Sequence, residues 1–139
     1  MNEPVVTVVG NLVADPEMRF TQSGVPVSNL TIAQTPRSFD RDTESWEDGQ
    51  TLFMRCSVFG QTAEHAVESL HKGHHVIAVG RLQQRDWETA EGERRTVVEL
   101  AIDEIGASLR FADVDVRKVE RRSNEKGNGD SGNRRRGGR

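Results

Sequence analysis

The chain contains no uncharged apolar stretch approaching 18 residues, and its N-terminus lacks a basic region followed by an apolar run. The sequence therefore predicts neither a membrane span nor a secretory signal. Cysteine is limited to Cys56, which excludes an intrachain disulfide and agrees with a reducing compartment. A cytoplasmic protein is expected. Hydrophobic residues make up 34% of the 139 residues and charged residues 29%, which points to a small core or a partly folded chain. The apolar deficit is concentrated at one end. From Glu120 to Arg139 there is no Val, Ile, Leu, Met, Phe or Trp, and the segment is rich in Arg and Gly. Such a segment buries too little apolar surface to offset its ordering entropy, so 120–139 is expected to be a disordered tail.

Chemistry-bearing motifs are also missing. There is no G-x-x-x-x-G-K-S/T phosphate loop, no H-E-x-x-H, no G-x-S-x-G elbow and no second thiol for a zinc site, so an enzyme is not expected. His65, His71, His74 and His75 form the one cluster with ligand chemistry. Imidazoles near a helix end serve as well by bonding its free carbonyls, and neither a metal nor a cofactor is expected. The formal charge of −3 hides an asymmetry. Residues 1–119 carry 12 Lys and Arg against 19 Asp and Glu, hence −7, whereas 120–139 carry 7 against 3, hence +4. An acidic body does not attract nucleic acid by net charge, so any such contact depends on where the basic residues sit.

What the sequence does contain is a series of short β segments. Val5 to Val9 is a β-branched run broken by Gly10 and resumed at Leu12, and the glycine predicts a bulge or sharp bend. Asp15-Pro16 marks a turn before Met18-Arg19-Phe20, and Gln22-Ser23-Gly24 a second turn before a strand ending near Pro36. Residues 37–50 read as a long polar loop. Thr51 to Phe59 alternates, with Leu52, Met54, Cys56 and Val58 on one face and Phe53, Arg55, Ser57 and Phe59 on the other. Cys56 should then point into the core or toward a neighbouring subunit. The period next changes to Ala63, Ala66, Val67 and Leu70, an amphipathic helix with Lys72 in its last turn and Gly73 as its cap. Val76 to Leu82 and Thr96 to Ile105 are strands around a charged turn from Trp87 to Arg95, and Ala107 to Phe111 reads as one helical turn. Five strands with one helix between the third and fourth predict an all-β barrel of the OB-fold type.

Aromatic and basic residues occur together in this frame. Phe39 stands between Arg37 and Arg41, Phe53, Arg55 and Phe59 share a strand face, Trp87 follows Arg85, and Trp46 lies among polar residues. Rings interleaved with guanidinium groups suit single-stranded nucleic acid, whose bases offer π-faces and whose phosphates offer regular charge. An isolated Phe on a strand is more often core than platform, and Phe20, Phe111 and Phe59 are candidates for that plainer role. Phe39, Trp46 and Trp87, flanked by Arg, Asp, Glu and Ser, are not.

Val9-Gly10-Asn11-Leu12, Asp15-Pro16-Glu17, Arg55 to Gly60 with Ala63-Glu64, Lys72-Gly73, Gly80-Arg81-Leu82, and Arg85 with Trp87 stand in the order and spacing of the bacterial single-stranded DNA-binding (SSB) proteins. The chain resembles that family over residues 4–112. The resemblance implies an OB barrel that assembles as a homotetramer and binds single-stranded DNA in replication, repair or recombination. It places Phe39, Phe53, Phe59 and Trp87 at base-stacking positions and Arg55, Lys72 and Arg85 at basic ones, in a barrel domain spanning 1–112. It also implies an intersubunit strand over 113–119. Two departures stand out. Many members have Trp where this chain has Phe39 and Phe53, and Lys where it has Asp42 and Asp86. The family's acidic tip, which docks replication and repair proteins, is absent from this sequence, which ends Asn133-Arg134-Arg135-Arg136-Gly137-Gly138-Arg139. An OB module acting mainly through protein partners, with weak nucleic-acid or RNA binding, is the alternative.

Overall fold

The computed structural model describes residues 2–119. In chain order these form β1 (Val5–Leu12), β2 (Glu17–Phe20), β3 (Pro26–Gln34), β4 (Arg37–Asp40), β5 (Ser45–Asp48), β6 (Leu52–Phe59), α1 (Gln61–Ser69), β7 (His75–Glu88) and β8 (Arg94–Ala107). Along β1 the alternation is strict: Val8 and Leu12 are buried while Val5, Thr7 and Val9 are exposed. The strand pairs antiparallel with β7 from Val5↔Arg81 to Asn11↔His75, and its last two residues also pair with β3, as Asn11↔Ala33 and Leu12↔Ile32. β3 pairs with β6, β6 runs parallel to β8, and β8 pairs with β7. The ladder thus closes into a ring of five strands, β1-β7-β8-β6-β3, with β2 added on β3.

Closure explains Gly10. A Cβ there would stand 2.1 Å from the carbonyl oxygen of Ala33, so only glycine lets β1 pass this close to β3. The expected bulge at Gly10 is not formed, because its pairing with β7 continues in register through Gly10↔Val76. The register shift lies instead at Val79/Gly80, where a Cβ on Gly80 would meet the Ala101 carbonyl at 2.2 Å.

The ring encloses Val8, Leu12, Leu30, Ile32, Met54, Cys56, Val58, Val76, Ala78, Leu100 and Ile102. The helix lies between the third and fourth ring strands, as the sequence predicts, and closes one end with Ala63, Ala66 and Leu70. Gly60 precedes it at φ 77°, and its carbonyl accepts from the N–H groups of Ala63 and Glu64. The helix ends earlier than its periodicity predicts. Leu70 is already extended (φ −113°, ψ 142°), so His71, Lys72 and Gly73 form a separate turn.

Other local expectations are corrected by long-range pairing. Residues 37–50 are not a loop but a two-stranded ribbon, β4–β5, and β7 continues past its predicted end at Leu82 to pair with β8 as far as Glu88↔Arg94, within the predicted Trp87–Arg95 turn. Polar, charged sequence is compatible with a strand once a partner strand fixes it. Ala107 ends β8, and residues 108–111 form no helical turn. Phe20 and Phe111 are exposed and not core: β2 pairs only with β3, and the Phe111 ring packs edge-on against His75 with Arg110 over it. Residues 112–119 form no strand within the single chain. The expected tail over 120–139 lies outside the described residues.

Candidate nucleic-acid interface

The face of the barrel that carries the predicted residues is set by register. On β6, Phe53, Arg55, Ser57 and Phe59 alternate against the buried Met54, Cys56 and Val58. Phe53 and Phe59 expose 61% and 54% of their surface, which settles Phe59 as a surface ring. Arg55 pairs with Glu99 of β8, and Glu99 in turn with Gln83 of β7. Counting by twos from that row brings Val97 opposite Arg85 and Arg95 opposite Trp87. Phe53, Arg55, Phe59, Arg85 and Trp87 therefore share one outward surface across β6, β8 and β7.

Phe39, Trp46, Arg37 and Arg41 lie on the neighbouring ribbon. The β3–β6 ladder ends at Gln34↔Leu52 and resumes at Arg37↔Asp48, with residues 35–36 opposite 49–51. The extra residue makes the joint irregular. It is held by the Thr35 and Thr51 hydroxyls at 2.7 Å and by Gly49 N–H donating to the Pro36 carbonyl at 2.7 Å. Beyond the joint, Phe39 and Trp46 are directly opposed, and Arg41 stands in the four-residue turn. Two hairpins, β4–β5 and the distal half of β7–β8, thus project from the barrel with aromatics near their ends.

Lys72 is positioned differently. Its backbone N–H donates to Asp15 Oδ1 at 2.7 Å, and Asp15 lines a cleft of about 310 Å³ with Arg19, Arg55 and Glu99. A second cleft, on the other side of Glu99, is lined by Phe59, Gln83 and Arg85.

The basic residues divide into two groups. Arg37 is paired with Asp48 at 3.3 Å, and Arg85 Nη2 donates to Glu99 Oε2 at 2.6 Å. Among the described residues, the side chains of Arg41, Arg55 and Lys72 make no ion pair, and Arg19 meets only the neutral Asn29 amide oxygen. Arg19 and Arg95 are absent from the sequence-based set. Arg95 was legible only through its register with Trp87, and Arg19 only through the cleft it shares with Arg55.

Cys56 and the histidine cluster have these surroundings. Cys56 is 3% exposed, inside the barrel, with its thiol 3.4 Å from the Met54 carbonyl. Burial first, and the Glu99 charge second, push the thiol up to about 12, so it is neutral and unavailable for an intersubunit disulfide in the folded chain. The imidazoles bond locally: His74 Nδ1 accepts from the His71 N–H at 3.1 Å, and the His75 ring bonds the Asn11 amide at 2.7 Å. Among the described residues no group of three His, Cys, Asp or Glu is arranged to hold a metal. No helix of the described residues is long and apolar enough to cross a membrane.

Comparison with known proteins places this geometry. The chain is 56% identical to the single-stranded DNA-binding protein of Paenarthrobacter aurescens over 128 residues, covering 91% of this chain and 75% of that protein. It is also 56% identical to the single-stranded DNA-binding protein of Mycolicibacterium smegmatis over 119 residues, covering 86% and 72%. The crystal structure of the small single-stranded DNA-binding protein from Streptomyces coelicolor superposes with a TM-score of 0.67 at 35% identity, covering 78% of this chain and 97% of the other. The profile of the single-strand binding protein family matches residues 3–108, and with the closed five-stranded ring and its OB-type helix placement this chain belongs to that family.

Proposed function

We propose that the chain binds single-stranded DNA without strong sequence preference and protects unpaired strands in replication, repair or recombination, by holding rather than by catalysis. One observation carries the reading: register alone brings Phe53, Phe59 and Trp87 onto one outward surface with Arg55 and Arg85. Exposed rings that no core needs are suited to stacking on unpaired bases, at about 1–3 kcal/mol per base. Phe39 and Trp46, with Arg37 and Arg41, extend that surface along the β4–β5 ribbon, and Lys72 adds charge near the Asp15 rim.

A homotetramer is part of the proposal. On the outer side of β1 and β7, Val9 is paired with Ile77, and Val5 lies on the same side; all three are exposed in the single chain, as an apolar stripe between subunits is. Residues 113–119, exposed and unpaired within the chain, are proposed to engage a neighbouring subunit. Several subunits on one strand multiply the effective affinity. The proposed location is the cytoplasm, at the nucleoid, with replication or repair proteins as further partners.

The pairing of Arg37 and Arg85 with carboxylates, on a body of charge −7 over residues 1–119, favours a second reading: an OB module with weak nucleic-acid binding that acts through protein partners. Affinities for oligo-dT, oligo-U and duplex DNA, measured side by side, decide. Tight binding of oligo-dT over duplex supports the proposal, and equal, weak binding of all three supports the second reading.

A further inference from the structure

We infer that Glu99 is a built-in competitor of phosphate at the centre of the binding surface, and that it sets how weakly and how reversibly this protein holds a strand. The inference rests on the single-stranded DNA reading above. Glu99 is placed on β8 between Arg55, its neighbour across β6, and Gln83, its neighbour across β7, and it forms the wall shared by the two clefts that contain Arg55 and Arg85. A surface that receives a polyanion has no evident use for a carboxylate there. This one is also the better buried partner of its ion pair: its side chain is 18% exposed, against 66% for Arg85.

The geometry assigns its effect. Arg85 Nη2 to Glu99 Oε2 is 2.6 Å, a short charge-assisted hydrogen bond. Arg85 therefore meets an incoming phosphate as half of a neutral pair, and to bond it fully must turn away from a carboxylate that stays behind, desolvated and close. Arg55, on β6 at the other side of β8, makes no ion pair among the described residues, although Asp15, Glu17 and Glu99 line its cleft, so its guanidinium is not held in a charge-assisted bond. The two arginines look equivalent in the sequence and are not equivalent on the surface: Arg55 is available, and Arg85 is held in reserve. Glu99 is the acidic residue common to both clefts: Glu3 lines only the Arg85 cleft, where it accepts from Arg81 and Gln83, and Asp15 and Glu17 line only the Arg55 cleft. Asp86 points to the opposite side of β7 and is bonded by Arg94 and Thr96, and Glu93 is bonded by Arg95 at the hairpin end.

The test is a salt-dependent titration of oligo-dT binding by the full chain and by Glu99→Gln, Arg85→Gln, Arg55→Gln and the double variant Arg85→Gln/Glu99→Gln. Each phosphate newly neutralised on a single strand steepens log K against log salt by about 0.7. Glu99→Gln is expected to tighten binding on the order of 5-fold per engaged subunit, the scale of one removed like charge at partly screened contact distance, and to steepen the slope by about 0.7. The double variant returns both to wild-type values. If Glu99 only scaffolds Arg85, Glu99→Gln instead weakens binding and leaves or flattens the slope, which overturns the inference. Should Glu99→Gln fail to fold, the single arginine variants still decide: Arg55→Gln flattens the wild-type slope by about 0.7 and Arg85→Gln leaves it nearly unchanged, whereas equal losses in the two overturn the inference. Wild-type protein that does not bind oligo-dT at all refutes the functional reading itself and is seen before any variant is compared.

Discussion

The rings of Phe39 and Trp46 stand directly across the β4–β5 ribbon, 5.5 Å apart between centroids and inclined at 65°, with the Arg37 guanidinium 5.8 Å from the Trp46 ring. Arg37 also reaches Asp48 at 3.3 Å, so the ribbon carries an ordered group of two aromatics and one cation at a distance from the hydrophobic core. An edge-to-face pair with a cation alongside stabilises the ribbon by itself. It also leaves Trp46 60% exposed, so the stacking proposed for this ring requires no reorganisation of the pair.

Phe39→Ala and Trp46→Ala should each weaken oligo-dT binding by about 1–3 kcal/mol, and the double variant by less than the sum, since each ring orders the other. Fluorescence anisotropy of labelled oligo-dT measures all three.

Phe53→Ala and Phe59→Ala should lower DNA affinity while changing thermal stability little, because neither ring is part of the buried cluster. Ile32→Ala or Leu100→Ala, both fully buried, should do the opposite, costing about 2–5 kcal/mol of stability. Paired melting and binding measurements on the four variants separate the two surfaces of the sheet.

Much of this division was legible in the sequence. The 51–59 alternation gives both faces of β6 correctly except at Leu52, which is exposed beyond the end of the core. The placement of α1 between β6 and β7 was equally plain, since the period changes abruptly at Ala63. The β4–β5 ribbon was not legible: Arg37 to Asp48 holds no apolar alternation, and its strands exist because the β3–β6 ladder delivers the two segments side by side. Nor did Phe20 and Phe111 announce their exposure, because a lone Phe reads the same whether or not another element covers it. The Arg85–Glu99 pair escaped for a similar reason: fourteen residues apart in sequence, the two meet only once the β7–β8 register is known.

Cys56 should resist alkylation at pH 8 in the folded protein and react only on unfolding. Its folded pKa, about 12, lies above the ordinary thiol value of 9.0, so the folded state keeps a proton that the unfolded state releases. The stability associated with this thiol is fully present below pH 9.0 and is lost as pH rises toward 12. Cys56→Ala should show a shallower decline in stability across that alkaline window, read by denaturant unfolding at successive pH values.

Gly10→Ala should destabilise the ring by about 3 kcal/mol or more, since the new Cβ would meet the Ala33 backbone carbonyl, which cannot move aside without opening the β1–β3 contact. Gly24→Ala, at a turn with open space around it, serves as a comparison in which only the positive φ is penalised. Chemical denaturation of both variants checks the difference.

The most direct test of the account uses the two tryptophans as reporters. Trp46→Phe leaves Trp87 on the β7–β8 hairpin, and Trp87→Phe leaves Trp46 on the β4–β5 ribbon, so each variant reports from one arm of the surface. On titration with oligo-dT at low salt, both should lose fluorescence, with the same stoichiometry, and recover it as salt displaces the strand. Unchanged emission from both tryptophans in the presence of excess oligo-dT would contradict the account.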